Sequence, residues 1–369
     1  MTATGGQCPT CEQVPKRPGE GWSLYLWPPL GHTEGKLAKR LNTMDIPRER
    51  GPDGRAFAVA LDRVRDGGGM DALGADLSVK EQDDTTVLAV PPGTEPGFAD
   101  YPRVTSLFRL MRREHAASMT RTLTDGRIGV SFVPIAAADD ASEVVAHRAD
   151  LRFPDLAETI NEPFTLAGDA ALLSQLDRAS RVACIRETAN QGLDRPVFVE
   201  FHPASIYDPV SCLRTTVAEV ERSGLYPDDV IFTLSRAGSQ RDVSHLRNIL
   251  SYYKDRGFRV ALGELGAERG ALELVQHLRP EYVWLAHDVT VGVSHDPFRA
   301  VIARKLLEMA HRLRIDTVAG GGLADADRAW LYEHGVSALA MPEHATAPTI
   351  PEGLALAARE DAPAHDPAG

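Results

Sequence analysis

Cysteine is scarce, with four in 369 residues, which excludes a disulfide-built scaffold. Long apolar runs are missing too. No stretch of about 18 apolar residues occurs, so no membrane span is expected. The opening MTATGGQCPTCEQ is polar and has no hydrophobic signal-peptide core, which makes the cytoplasm the expected location. Basic charge is in deficit: 40 Lys+Arg against 52 Asp+Glu leave a net charge of -12. A chain that grips nucleic acid by neutralising phosphates carries the opposite balance. The turns GFRVALGE and GGGL contain no nucleophile elbow, so no Ser/His/Asp triad assembles. No repeat of about 20–50 residues recurs.

What is present is ordinary globular material, 43% apolar and 25% charged, in a length that suits about two domains. Three regions separate. Residues 1–115 read as a small α/β module containing a CxxC. Within it SLYLW is a strand, Pro28 and Pro29 a turn, and a helix begins near Thr33; AFAVAL and TTVLAV are further strands. Residues 103–126 place Leu107, Leu110 and Met111 at helical spacing and predict one long amphipathic helix linking the regions. From 116 to 342, β-branched runs alternate with helical stretches. The strands are expected at 129–135, 144–153, 196–201, 229–234, 259–264, 281–286, 316–321 and 336–341. Eight strands with helices between them imply a largely parallel sheet closed as a TIM-like (β/α) barrel. Residues 343–369, acidic and rich in Ala and Pro, predict a disordered tail.

Four blocks of the barrel region occur in a telling order. They are LTDGRIGVSFVPIAAADDASEVVAHRADLR, FHPASIYDPVSCLRTT, YYKDRGFRVALGELGAERGALELVQHLRPEYVWL and DTVAGGGLADADRAWLYEHGV. Together they resemble EAL-domain proteins, the family of cyclic di-GMP phosphodiesterases. CPTC with SLYLWPPLGHTEGKL resembles a module that precedes some EAL domains. The resemblance implies a barrel whose C-terminal strand ends hold two divalent cations on oxygen ligands. A lysine positions the attacking water, and the reaction is metal-assisted phosphodiester hydrolysis.

Position by position, this chain departs from that set. The glutamate of the name-giving Glu-Ala-Leu falls on Arg148, while the arginine that follows the motif is kept as Arg152. The asparagine ligand falls on Glu200, the next glutamate on Thr233, and the acidic residue three places on falls on Arg236. The paired aspartates fall on Gly263 and Glu264, the lysine on Trp284 and the aspartate beyond it on Ala286. The Glu-Gly-Val-Glu motif begins at Gly320 and ends at Leu323, and a late glutamine falls near Ala340. Arg148 puts a permanent positive charge into the ligand shell. An altered metal site would need a new ligand set from Glu200, Glu264, His202, His287 and Asp288. No catalytic residue and no barrel cofactor are therefore expected.

Several readings stay open at this point. Arg148, Arg152 and Arg236 either line the mouth and bind an anion, with Arg152 as the phosphate or nucleotide contact, or pair with Glu200 and Glu264 in an ion network. Trp284 either stacks on a guanine base or fills space. Glycines 320–322 either bring N–H groups to a phosphate or make a strand-to-helix turn. Cys8 and Cys11 are half of a zinc site or a reduced pair. The expected function is a catalytically inactive EAL-like regulatory protein that works through a protein partner. The alternative is a non-hydrolysing cyclic di-GMP sensor. The resemblance also makes a homodimer plausible, and an active phosphodiesterase is the reading least supported.

Overall fold

The computed structural model describes residues 11–15, 18–156, 163–234, 242–266, 271–341 and 348–359. Two compact units emerge. One gathers Gln13–Thr124, Leu156–Leu173 and the chain from Leu356; the other gathers residues 11–12, Asp125–Asp155 and Ser174–Ala355.

The first unit pairs β1 (Gln13–Pro15) with a late strand and builds a five-stranded sheet. Its strands are β2 (Ser23–Trp27), β3 (Glu49–Arg50), β4 (Phe57–Ala60), β5 (Thr86–Val90) and β6 (Thr105–Ser106), in the order β3-β4-β2-β5-β6. All neighbours are antiparallel. Helix Gly31–Thr43 follows β2, and short helices lie between β4 and β5. This βαββαβ order is ferredoxin-like. Strand alternation sends Leu24, Leu26, Phe57, Val59 and Val87 into one core with Leu37 and Leu41. Tyr25, Leu88 and Val90 form a cluster on the other face. Ser78 and Glu81 make a reciprocal capping box at helix Val79–Asp84.

The long helix expected over 103–126 is two helices, Leu107–His115 and Ala117–Asp125. Ser106 accepts from the Arg109 N–H and starts the first, and Ala116, at ψ 23°, leaves helical geometry between them.

The second unit is a closed barrel of eight strands. They are β7 (Gly129–Ala137), β8 (Val144–Arg152), β9 (Val197–Phe201), β10 (Val230–Leu234), β11 (Arg259–Leu265), β12 (Tyr282–Leu285), β13 (Asp316–Ala319) and β14 (Ala338–Ala340). The TIM-like barrel expected from the strand–helix rhythm is therefore present. Its one topological exception is β7, which runs antiparallel to both neighbours, β8 and β14. The remaining pairs are parallel. All five residues of β10 are buried, as expected of a strand covered on both faces. Inside, Ile135, Ala146, Phe198, Ile231, Ala261, Val318 and Ala338 pack together. Outside, Phe232 stacks on Tyr253 of helix Val243–Lys254, ring centroids 3.9 Å apart.

Part of the tail expected to be disordered is ordered. Thr349 exchanges both backbone hydrogen bonds with Val130, and Leu354 is buried. β15 (Ala357–Arg359) pairs in parallel with β1. Backbone pairing, which composition does not register, accounts for the difference. Residues 343–347 and 360–369 lie outside the described residues.

Candidate functional site

The barrel's inner face follows from the strand period of two. Ala146, Phe198, Ile231, Ala261, Tyr282, Val318 and Ala338 point inward. Two residues further along each strand stand Arg148, Glu200, Thr233, Gly263, Trp284, Gly320 and Ala340. Seven of the positions singled out from the sequence thus lie near the C-terminal ends of barrel strands, where barrels carry their chemistry, but at different heights: Arg148 is level with Phe198, Thr233 with Glu200 and Ala261, and Trp284 with Val318.

Arg148 is held by a residue the sequence reading missed. Its Nε donates to Asp150 Oδ1 at 2.7 Å and its Nη2 to Asp150 Oδ2 at 3.0 Å. Asp150 lies two residues along the same strand, on the same face as Arg148. Burial works against the Arg148 charge, but the Asp150 hydrogen bonds and the charges of Asp150 and Glu200 outweigh it and raise its pKa. Glu200 and Glu264 are both exposed. Arg152 sits at the rim opposite Gly129, donates to the Leu151 carbonyl at 2.9 Å and approaches Asp150 only to 4.0 Å.

Trp284 is packed in the barrel core. Its ring meets Phe198 edge-on with centroids 5.3 Å apart, and the Arg148 guanidinium carbon stands 5.6 Å from its ring. Thr233 is buried between strands β9 and β11, level with Glu200 and Ala261. Beyond Ala261, β11 bulges, and Glu264 takes φ 56°, a left-handed conformation that is costly for a residue with a Cβ. A Cβ on Gly263 would lie 3.0 Å from the Leu234 carbonyl, whereas one on Gly320 would meet nothing within 4 Å.

The remaining candidates scatter. His287 and Asp288 are exposed on the short helix His287–Thr290. The His202 backbone N–H donates to Asp177 at 2.7 Å. Asp177 belongs to a buried network the sequence reading also missed. It accepts from Ser205 Oγ at 2.5 Å and pairs with Arg181 at 3.0 Å, while Arg181 reaches Thr216 Oγ1 at 2.8 Å. The Asp-x-x-x-Arg spacing on one helix was its only sequence signal. Cys11 is buried, and burial pushes the Cys184 thiol far up. Cys8 and Arg236 lie outside the described residues, so the CxxC zinc site is not described.

The donor set does not suit a two-cation clamp. Arg148 is a fixed cation, Gly263 and Gly320 lack side chains, Trp284 offers only a donor, and Thr233 is neutral. Among the described residues no three His, Cys, Asp or Glu side chains converge on a point that could hold a metal ion. No helix among them is long and apolar enough to cross a membrane.

The family profile of the EAL domain matches residues 116–339, more than half the chain. This chain belongs to the EAL domain family. Among solved structures, it is similar to a standalone EAL protein from Vibrio cholerae O395 in its c-di-GMP-bound form. Identity is 24%, 58% of this chain and 89% of that one are covered, and the TM-score is 0.50. The EAL domain of FimX from Xanthomonas citri, in complex with c-diGMP, is 17% identical over 63% of this chain and 92% of its own, with a TM-score of 0.54. The FimX EAL domain from Pseudomonas aeruginosa, bound to c-di-GMP, is 16% identical over 64% and 96%, also at 0.54. At these identities the likeness is one of fold. No curated protein matches the chain.

Proposed function

We propose that this chain is a catalytically inactive EAL-type regulatory protein that works in cyclic di-GMP-related signalling, in the cytoplasm, through a protein partner. The Arg148–Asp150 pair carries this reading. A guanidinium, neutralised within its own strand, stands where the family resemblance puts a carboxylate ligand. Thr233, Gly263, Trp284 and Gly320 add no carboxylate to the mouth. With that donor set we derive no hydrolytic step. A protein partner is favoured by an apolar stripe on helix Pro297–Leu313, where Phe298, Val301 and Ile302 are all exposed at helical spacing. A homodimer through this stripe is the simplest form of such a contact.

The test is turnover. Purified protein is incubated with cyclic di-GMP and Mg²⁺ or Mn²⁺, and the linear product is sought by chromatography. No product is expected. Product that forms in the wild type and disappears in Glu200→Gln would overturn the reading. A second reading, a non-hydrolysing nucleotide sensor, is favoured by Arg152, whose half-exposed guanidinium has only a distant acid partner among the described residues. Under it Arg152→Ala abolishes cyclic di-GMP binding in a calorimetric titration; unchanged affinity removes Arg152 from that role.

A further inference from the structure

The first unit carries a groove of its own, outside the barrel. It runs between helix Gly31–Thr43 and β3, the edge strand of the five-stranded sheet, and holds about 390 Å³. That is the size of a ligand site. Phe57 lines it from the core it shares with Leu37 and Leu41. Over its ring stand two guanidiniums, Arg50 at 4.9 Å and Arg48 at 5.6 Å from the centroid. Arg50 also donates to Glu34 on the helix at 2.7 Å. Arg48 donates to the neutral Asn42 side chain and has no acidic partner among the described residues. On the helix side, a Cβ on Gly35 would meet nothing within 4 Å, so the groove is open there. β3 itself pairs with β4 on one side only. The Gly51 N–H donates to the Ala56 carbonyl, and antiparallel pairs alternate. Glu49 is therefore bonded to Ala58, while Arg50, opposite Phe57, turns its backbone N–H and C=O to the free edge. Arg48 has the same parity as Arg50.

We infer that this edge docks an extended acidic peptide segment of a partner protein. The segment adds to the sheet beside β3 and exchanges backbone hydrogen bonds with Arg50. Its alternate Asp or Glu side chains enter the groove and meet the guanidiniums. Glu34 already neutralises Arg50, so Arg48 supplies the unpaired charge. Charged residues on an edge strand deter unwanted pairing. Two arginines of one parity do so selectively: they repel a basic strand and attract an acidic one. The inference goes beyond the reading of the barrel as inactive and does not depend on it.

The experiment is fluorescence anisotropy of the full chain with a labelled octapeptide in which Glu alternates with Thr. Two further peptides carry Lys in place of Glu, or N-methyl groups on the backbone nitrogens that would pair. The Glu peptide is expected to bind, and each of the other two about tenfold more weakly or worse. Arg48→Gln keeps a polar side chain without the charge and should weaken the Glu peptide about tenfold. Gly35→Leu fills the groove from the helix side and should abolish binding without lowering the melting temperature. Thermal melts of each variant separate lost binding from lost folding. No binding of the Glu peptide would overturn the inference and leave the arginines as guards of the edge. So would equal affinity for the Lys peptide, for the N-methylated peptide or in folded Arg48→Gln. Glutarate binding as tightly as the peptide would overturn it too, and make the groove a pocket for small carboxylates.

Discussion

Arg148 and Asp150 stand two residues apart on β8 and meet through two hydrogen bonds, 2.7 and 3.0 Å long. The strand itself aligns them, so no loop has to close to bring the charges together. Asp150→Ala strips the acid from a guanidinium that is only 28% exposed. The expected loss is about 1–3 kcal/mol, between the values for exposed and fully buried pairs. The double variant Arg148→Ala/Asp150→Ala should cost less than Asp150→Ala alone, because it leaves no stranded charge. Urea unfolding of the three variants measures this; an Asp150→Ala protein as stable as wild type would remove the pair's structural role.

The Asp177–Arg181 pair is deeper, at 1% and 2% exposure. It joins helix Leu173–Asn190 to the segment after β9 through Ser205 and the His202 N–H. Removing one partner leaves an uncompensated buried charge, so Arg181→Met should destabilise by about 3–5 kcal/mol. Asp177→Asn keeps the shape but strands the Arg181 guanidinium, which cannot shed its charge, and should cost at least as much. Denaturation midpoints with unchanged slopes decide it, and a neutral Arg181→Met would contradict the buried-charge argument.

The two mouth glycines should respond oppositely to a methyl group. At Gly263 the new Cβ presses on the Leu234 carbonyl at 3.0 Å, backbone that cannot step aside easily. Gly263→Ala should therefore cost about 1–3 kcal/mol. At Gly320 the space is open, and Gly320→Ala should stay within about 0.5 kcal/mol of wild type. Paired thermal melts compare them directly. Equal effects would mean that β11 relaxes and the close approach is not a constraint.

The barrel was legible because its strands are short β-branched runs separated by helices, a pattern that survives whatever happens to the chemistry. The inner face was legible for the same reason. Once β8 to β12 are placed, parity alone puts Arg148, Glu200, Thr233 and Trp284 on it. The partner of Arg148 was not legible, because Asp150, Glu200 and Glu264 are chemically alike and only side-chain geometry chooses among them. The break at Ala116 was hidden inside a stretch of good helix formers. The ordering of Thr349 against Val130 is a backbone event, invisible to a composition that reads as tail.

Acid should loosen the first unit through Glu81. Its carboxylate accepts both hydrogen bonds of Lys36 Nζ at 2.9 Å and caps its own helix at the Ser78 N–H. Lys36 first, and then Ser78, lower its pKa from 4.5 to about 2. The sign follows from linkage. A carboxylate with a depressed folded pKa stabilises fully above its unfolded value, and that contribution is lost as pH falls toward the folded one. The window is therefore pH 4.5 down to about 2. Glu81→Gln cannot titrate, so its stability should fall less steeply across that window than the wild type's, and the gap between them should close near its lower end. Trp22 and Trp27 lie in this unit and report its unfolding by fluorescence. Parallel pH profiles for the two proteins would show that Glu81 does not couple folding to pH.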